Sequence, residues 1–223
     1  MKQNIVFLPC RKGSQRVPNK NTRPFAGIEG GLLHIKLQQL LQTKDVDKII
    51  VSSNDEEVLR IASAFNGSKI QIDHRDDALC TSDTTTDQLI DYVAHLIPAG
   101  TIIWTHVTSP FLSAGTYEKM IQAYYEHLGQ YDSLMSVNLI RSFLWNTETA
   151  VNYDRNVEKW PRTQTLKPLF EVNSGVFIAD AEIYQRLHDR VGKRVYMYET
   201  SKLESIDVDW EEDFDFAEKM WKE

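Results

Sequence analysis

The feature that most constrains this chain is a regular alternation of short apolar runs with segments whose apolar residues recur at helical spacing. The apolar, β-rich runs are Asn4–Leu8, Lys48–Ser52, Lys69–Ile72, Thr101–His106 and Ser133–Val137. The helical segments between them are Leu32–Leu41, Val58–Phe65, Leu89–Ile97 and Tyr117–Leu128. Alternation of this kind predicts the doubly wound α/β class, in which a mainly parallel sheet is covered by helices on both faces.

The regular pattern fails after about Asn138. Residues 139–167 contain scattered aromatic side chains with no clear period, which predicts an excursion from the main sheet. An exposed patch of that kind often packs against a second subunit. The pattern then resumes with strands at Val176–Ile178 and Arg194–Tyr198, a helix near Ala181–Leu187 and a terminal amphipathic helix from about Glu211. A chain of 223 residues is long enough for one sizeable domain, so we expect a single domain over 1–223.

Composition narrows the classes of partner. The formal net charge is −7, so any positive charge is local, which suits a small anionic ligand better than a nucleic acid. The two cysteines, Cys10 and Cys80, form no disulfide framework and have no metal-ligand spacing. The sequence contains no apolar stretch of membrane-spanning length and no signal-peptide pattern. We therefore expect a cytoplasmic protein that binds neither nucleic acid nor membrane.

A cationic loop follows the first predicted strand. Its cations are Arg11, Lys12, Arg16 and Lys20. A loop at the carboxyl end of a strand in an open α/β sheet is where ligands bind, and small residues allow backbone N–H groups to approach phosphate oxygens. A basic surface loop would explain the cations alone. The preceding strand, Gly13 and the stiffening Pro18 favour a polyphosphate-binding loop.

An acidic pair near the C-terminal end could hold a metal. If Ser205–Trp210 is extended, Asp207 and Asp209 point to the same side, because side chains alternate along a strand. Two carboxylates on one face repel each other unless a cation lies between them, and Mg²⁺ prefers such oxygen ligands beside a triphosphate. The alternative is an exposed acidic turn that leads into Glu211–Asp213 and favours the N-terminus of the last helix.

The stretch from Arg162 to Gly175 is less specific. Arg162 could hold a carboxylate through a bidentate contact, and Gln164 and Asn173 could bind hydroxyl or amide groups. A polar loop with a turn at 173–175 would explain the same residues.

The stretch from Arg75 to Thr84 also has a structural explanation. Ser82 or Asp83 could be a helix N-cap, and Arg75 could form a surface ion pair. Among the histidines, His106 is distinctive because it ends the fourth predicted strand, which places it at the same sheet edge as the cationic loop.

In their order and spacing, these stretches resemble the acylneuraminate cytidylyltransferase family, whose members activate sialic acid and other 3-deoxy-2-ulosonic acids. The resemblance runs from about Asn4 to the terminal helix. It rests on the segments Arg11–Asn21, Arg75–Thr84, Thr108–Pro110, Arg162–Asn173 and Ser205–Asp209.

The resemblance implies a fold and a reaction. The fold would be a Rossmann-like, mainly parallel α/β sheet with a dimerisation excursion near 139–167. The reaction would transfer CMP from CTP to the anomeric hydroxyl of a sialic-acid-like 3-deoxy-2-ulosonic acid and release pyrophosphate. Mg²⁺ would be the cofactor, CTP and a sugar acid would be the ligands, and the protein would be a homodimer.

The resemblance also implies residue roles. The residues implied for nucleotide binding are Arg11, Gly13, Ser14, Arg16, Lys20, Asn21, Arg75 and Ser82. Those implied for acceptor binding are His106, Arg162, Gln164 and Asn173. Asp207 and Asp209 would hold Mg²⁺, and together with Arg11 and Lys20 they would be the catalytic residues.

The chain departs from the family pattern on the sugar side. Phe111-Leu112 replaces the usual Leu-Arg, His106 replaces a common Gln, and Phe177 replaces a Tyr. Each change removes a polar partner or alters one, which should change acceptor recognition. Two alternatives therefore stay open: a cytidylyltransferase for another acceptor, such as an unusual nonulosonic acid or a phosphonate, and a catalytically silent nucleotide-binding relative.

Overall fold

The computed structural model describes residues 2–65 and 68–222. Within these ranges the strands are β1 (Asn4–Pro9), β2 (Lys48–Ser53), β3 (Ile70–His74), β4 (Thr101–Thr105), β5 (Ser133–Ile140), β6 (Leu169–Asp180) and β7 (Val195–Glu199). The α-helices are α1 (Gly31–Gln42), α2 (Glu56–Ala64), α3 (Thr86–Leu96), α4 (Ala114–His127), α5 (Ala181–Leu187) and α6 (Glu211–Trp221).

The strands form one sheet in the order β3-β2-β1-β4-β6-β5-β7. β6 is antiparallel to both of its neighbours, and the other pairings are parallel. The predicted mainly parallel, Rossmann-like α/β fold is confirmed. The chain runs outward from β1 to β3 and then returns to place β4 on the other side of β1. Strand order thus reverses between β1 and β4, which is where open α/β sheets bind ligands.

Strand alternation explains the two layers of the core. In β1, Val6 and Leu8 face the layer formed by α1, α2, α4 and α6, while Ile5 and Phe7 face the layer formed by α3 and α5. All four side chains are at most 5% exposed. Both faces of the central strands are therefore dry, as their nearly continuous apolar sequences predict.

Two of the structural alternatives that the sequence left open are wrong. Residues 173–175 are not a turn outside the sheet but lie inside β6, where Ser174 has a left-handed φ of 57° beside a register shift in β5. An irregularity of this kind bends a strand without ending it, so the pairing with β5 continues to Leu169. The N-cap of α3 is Thr85, which forms a capping box with Gln88, and not Ser82 or Asp83.

The predicted excursion is an irregular segment between β5 and β6. Within 141–162 the described residues form no helix, and the only pairing is an isolated bridge between Trp145 and Ala150. Phe143 and Trp160 pack edge to face at 5.5 Å between ring centroids, yet Trp160 is 62% exposed. The segment thus has a small aromatic cluster of its own that is only partly covered.

Every helix in the described part of the chain is too short or too polar to cross a bilayer. The expected cytoplasmic location stays a prediction.

Candidate active site

A cleft of about 630 Å³ opens beyond the carboxyl ends of β1 and β4, at the reversal of strand order. Its polar and charged lining comes from parts of the chain that are far apart in sequence. Among the residues predicted for the site, those that line the cleft are Arg11, Ser14, Arg16, Lys20, Asn21, His106, Asp207 and Asp209.

The cationic loop is shaped by its own backbone bonds. Val17 is fully buried and anchors the loop in the core, and Lys20 N–H donates to the Val17 carbonyl at 3.2 Å. Asn19 adopts a left-handed φ of 50°, and its carbonyl accepts from the Thr22 and Arg23 backbone N–H groups. Asn tolerates this conformation better than most side chains. The turn directs Lys20 inward, so that this lysine is only 9% exposed.

Lys20 joins the cationic loop to residues 205–210, the acidic segment that contains Asp207 and Asp209. Its Nζ donates to the Val208 carbonyl at 2.7 Å and to Asp209 Oδ1 at 3.0 Å. Arg16 also contacts Asp209 Oδ1, at 3.2 Å. The sequence predicted that the two aspartates are an uncompensated pair, but Asp209 already has cationic neighbours. Mutual repulsion alone is therefore a weaker argument for a metal than the sequence suggested.

Asp207 is the stronger sign of a missing ligand. Its Oδ1 is buried and has no hydrogen-bond partner within the described residues, which is costly for a carboxylate oxygen. Burial raises the pKa of Asp207, and the Asp209 carboxylate adds to that rise, although a hydrogen bond from Thr108 opposes it. The backbone is fixed here because Val208 N–H donates to the Thr108 carbonyl at 2.8 Å.

The two aspartates suit a cation that takes its remaining oxygen ligands from water and a phosphate group. No group of three or more His, Cys, Asp and Glu side chains suited to a metal occurs in the part of the chain that is described. Mg²⁺ does not need one, since it often binds one or two carboxylates and takes its other oxygens from water and phosphate. Asp207 and Asp209 fit that requirement.

The opposite side of the cleft is aromatic. Trp104 in β4 lies directly beside Phe177 in β6, and the Trp104 indole N–H donates to His106 Nε2 at 3.1 Å. Burial, followed by the nearby Arg190 charge, lowers the pKa of His106 to about 3. His106 is therefore neutral at physiological pH, and because Nε2 accepts, its proton resides on Nδ1.

Arg190 is a residue of the cleft that sequence reasoning missed. It follows α5, and its Cζ lies 3.7 Å from the centroid of the Phe177 ring and 5.3 Å from that of Trp104. It lines the cleft together with His106. A single arginine in a short loop after a helix gives no sequence signal, and Trp104 in an apolar strand is typical of core.

Three residues predicted for nucleotide binding do not line the cleft. Gly13 and Ser82 are exposed. Arg75 is 4% exposed, and its Nε donates to Cys80 Sγ at 3.0 Å, so it does not form a surface ion pair. Burial raises the pKa of the Cys10 thiol to about 12, as is typical of a thiol in the core.

Three residues predicted for acceptor binding also lie outside the cleft in this chain. Arg162 and Gln164 are exposed near the end of the excursion, at a short 3₁₀ helix formed by Thr163–Thr165. Asn173 belongs to a structural network: it accepts from Ser136 Oγ at 2.6 Å and donates to Thr200 Oγ1 at 2.7 Å. The neighbouring Ser174, rather than Asn173, reaches the cleft.

The departures from the family pattern fall in two places. Phe111 packs against Trp221 at 5.7 Å between ring centroids, and Leu112 is 1% exposed in the core. His106 lines the cleft, and Phe177 lies beneath Arg190. The substitution at the cleft itself is therefore the one at 106, and Phe177 contacts the cleft only through Arg190.

The fold and the cleft together define a doubly wound α/β protein with a charged cleft at its switch point. A family model described as "Cytidylyltransferase" matches residues 5–223, so this chain belongs to the cytidylyltransferase family. The family assignment made from the five sequence stretches is thereby confirmed.

Curated relatives carry related names. An N-acylneuraminate cytidylyltransferase of Streptococcus agalactiae is 27% identical over 217 residues, which cover 94% of this chain and 51% of the relative. The chain thus spans about half the length of that relative. The CMP-N,N'-diacetyllegionaminic acid synthase of Legionella pneumophila is 26% identical, with 97% of this chain and 95% of the relative covered.

A solved structure shares the fold. CMP:2-keto-3-deoxy-manno-octonic acid synthetase complexed with CTP aligns with a TM-score of 0.68 at 16% identity, and the alignment covers 99% of this chain and 98% of that one.

Proposed function

We propose that this protein transfers CMP from CTP to the anomeric hydroxyl of a sialic-acid-like 3-deoxy-2-ulosonic acid and releases pyrophosphate. The observation that supports the proposal is the contact of Lys20 with Val208 and Asp209, because it brings the cationic loop and the two aspartates together at one cleft. The names of the streptococcal and Legionella relatives support the choice of nucleotide and acceptor class.

The triphosphate would bind to the cationic loop. Arg11 and Lys20 would neutralise charge that develops on the leaving pyrophosphate, and Arg16 would add to the positive potential. Ser14 and Asn21, which also line the cleft, would donate hydrogen bonds to the nucleotide.

The reaction itself needs alignment more than covalent help. The acceptor's 2-hydroxyl oxygen bonds to the α-phosphorus, the bond from that phosphorus to the bridging oxygen breaks, pyrophosphate leaves, and the hydroxyl proton passes to solvent. His106 is a poor base for this proton, since its pKa of about 3 lies far below physiological pH. Its Nδ1–H would instead donate a hydrogen bond to an oxygen of the sugar acid.

Asp207 and Asp209 would hold Mg²⁺, as the unpartnered Asp207 Oδ1 suggests. When bound, the ion would polarise the α-phosphate and lower the pKa of the attacking hydroxyl. The prediction that follows is loss of turnover when EDTA removes divalent cations, with recovery on addition of Mg²⁺.

A second acceptor class is favoured by one observation. His106 lines the cleft where the family pattern has Gln, and the buried ring beneath Arg190 is Phe177 where the pattern has Tyr, so the polar partners offered to the acceptor differ from the usual ones. An acceptor such as an unusual nonulosonic acid or a phosphonate is the alternative within the same reaction class.

A panel of acceptors with CTP and Mg²⁺ tests the proposal, with pyrophosphate release as the readout. We expect turnover with at least one of N-acetylneuraminate, a legionaminic acid, a pseudaminic acid and 3-deoxy-manno-octulosonate. Best turnover with a phosphonate would favour the second class. CTP binding by calorimetry without pyrophosphate release for any acceptor would indicate a silent relative and would contradict the proposal.

We also propose that the excursion near 139–167 forms a homodimer interface. Trp145 and Trp160 are 48% and 62% exposed, and Arg155 lies over both rings at 5.0 and 5.2 Å. Light scattering should give twice the mass of the chain, and Trp160→Glu should give the monomer mass. A monomer mass for the unaltered protein at micromolar concentration would contradict the interface.

A further inference from the structure

We infer that Arg190 binds the carboxylate of the acceptor acid and so selects acids over neutral sugars, an inference that rests on the function proposed above. Arg190 lies over Phe177 and beside Trp104, at the side of the cleft formed by β4 and β6. The cationic loop that would bind the triphosphate follows β1 and supplies the rest of the cleft's cations.

The chemistry of the acceptor places a negative charge close to the reacting centre. In a 2-ulosonic acid the carbon that bears the attacking hydroxyl also bears the carboxylate. The carboxylate must therefore enter the cleft with that hydroxyl and approach a highly charged triphosphate. A second anion at this distance needs its own counter-ion, because like charges repel strongly in a partly dry site.

Arg190 carries a positive charge and has free N–H donors with which to bind the carboxylate. Within the described residues its guanidinium has no ion pair and no hydrogen bond, whereas Lys20 and Arg16 both contact Asp209. A guanidinium that lies over aromatic rings keeps N–H groups at its edge, and these match the two oxygens of a carboxylate. The aromatic surroundings also strengthen the pairing by excluding water.

His106 would support the same contact. The Arg190 charge contributes to keeping His106 neutral, and the Trp104 indole occupies Nε2, so Nδ1–H remains as a neutral donor next to the cation. A cation and a neutral donor side by side on an aromatic wall form a site for one carboxylate and an adjacent hydroxyl.

The test compares Arg190→Met and Arg190→Lys with Arg186→Met as a matched control. Arg186 is on α5 and its side chain is 72% exposed and paired with Glu182. For each protein, KM for CTP and for the best acid in the acceptor panel would be measured by pyrophosphate release, with the methyl ester of that acid as a second acceptor. Thermal unfolding would show that each variant is folded.

We expect Arg190→Met to raise KM for the acid about 10- to 100-fold, the usual range for a lost charged hydrogen bond. KM for CTP should change less than about twofold, the scale of a surface substitution. Preference for the acid over its ester should fall in parallel, and Arg190→Lys should keep part of that preference.

Three results would overturn the inference. They are an acid KM no higher than that of the Arg186→Met control, an unchanged preference for acid over ester, and a rise in KM for CTP alone, which would assign Arg190 to the nucleotide. A wild-type protein that turns over no ulosonic acid would instead overturn the proposed function, and the role of Arg190 would fall with it.

Discussion

The two sides of the cleft are built differently. One side, the loop wall, is residues 10–21, which are consecutive in the chain, mostly exposed and rich in cations. The other side, the strand wall, consists of Trp104, His106, Phe177 and Arg190, which come from three separate elements and surround one cation with aromatic rings. The loop wall suits a flexible, highly charged triphosphate, and the strand wall suits a rigid acid that must be oriented.

The largest effect is expected where the acidic segment meets the loop wall. Asp209→Asn removes a proposed metal ligand and the partner of Lys20, so turnover should fall by about 100-fold or more while the fold persists. Asp215→Asn is the matched control, since Asp215 is exposed on α6 and does not line the cleft. Measured kcat in Mg²⁺ close to the wild-type value would remove Asp209 from the metal site.

The next effect separates the two walls. Lys20→Met should raise KM for CTP about 10- to 100-fold, because it deletes a charged donor, and should leave KM for the acceptor nearly unchanged. The control is Lys12→Met, at an exposed lysine of the same loop that does not line the cleft. Equal effects on both substrates would show that the walls do not divide the ligands as proposed.

A smaller, opposite pattern is expected at the strand wall. His106→Leu removes the neutral Nδ1–H donor and should raise KM for the acceptor about 10-fold, whereas His106→Gln keeps a donor and should cost less. Because the pKa of His106 is about 3, His106 does not titrate between pH 5 and 8. The pH–rate profiles of the wild type and of His106→Gln should therefore have the same shape over this range. A step near pH 6.5 that disappears in the variant would contradict a neutral His106.

A separate prediction concerns stability rather than rate. Lys36 is fully buried, and its Nζ donates to the Ser109 carbonyl and to the Tyr117 hydroxyl, both at 2.8 Å. Burial lowers the pKa of Lys36 from 10.5 to about 7. Between these values the unfolded chain binds a proton that the folded chain does not, so the free energy of unfolding should rise with pH across this window.

Urea unfolding at pH 7 and pH 9.5 would measure this contribution. Lys36→Met should lack the part of the rise that comes from Lys36, while Lys44→Met, at an exposed lysine just after α1, should keep it. Identical pH dependence in wild type and Lys36→Met would show that the lysine keeps its ordinary pKa.

Periodicity predicted the fold well because both faces of the sheet are buried, and burial produces the patterns that sequence reasoning uses. It predicted poorly where the backbone is irregular, as at Ser174. A bulge preserves the pairing of the strands but interrupts the alternation of buried and exposed side chains on which the prediction depends. The loop wall was predictable because its residues are adjacent in sequence. Arg190 was not, because only the pairing of β4 with β6 brings Phe177 and Trp104 together beneath it.

The contact between Lys20 and Val208 spans 188 positions of the chain. During synthesis the ribosome releases the loop wall long before the acidic segment exists, so the nascent chain displays its cations without their carboxylates. The cleft can assume its final charge balance only when almost all of the described chain has emerged. An unfinished polypeptide should therefore be catalytically inert, and premature termination anywhere before Asp207 should give a product that no added magnesium or CTP can rescue.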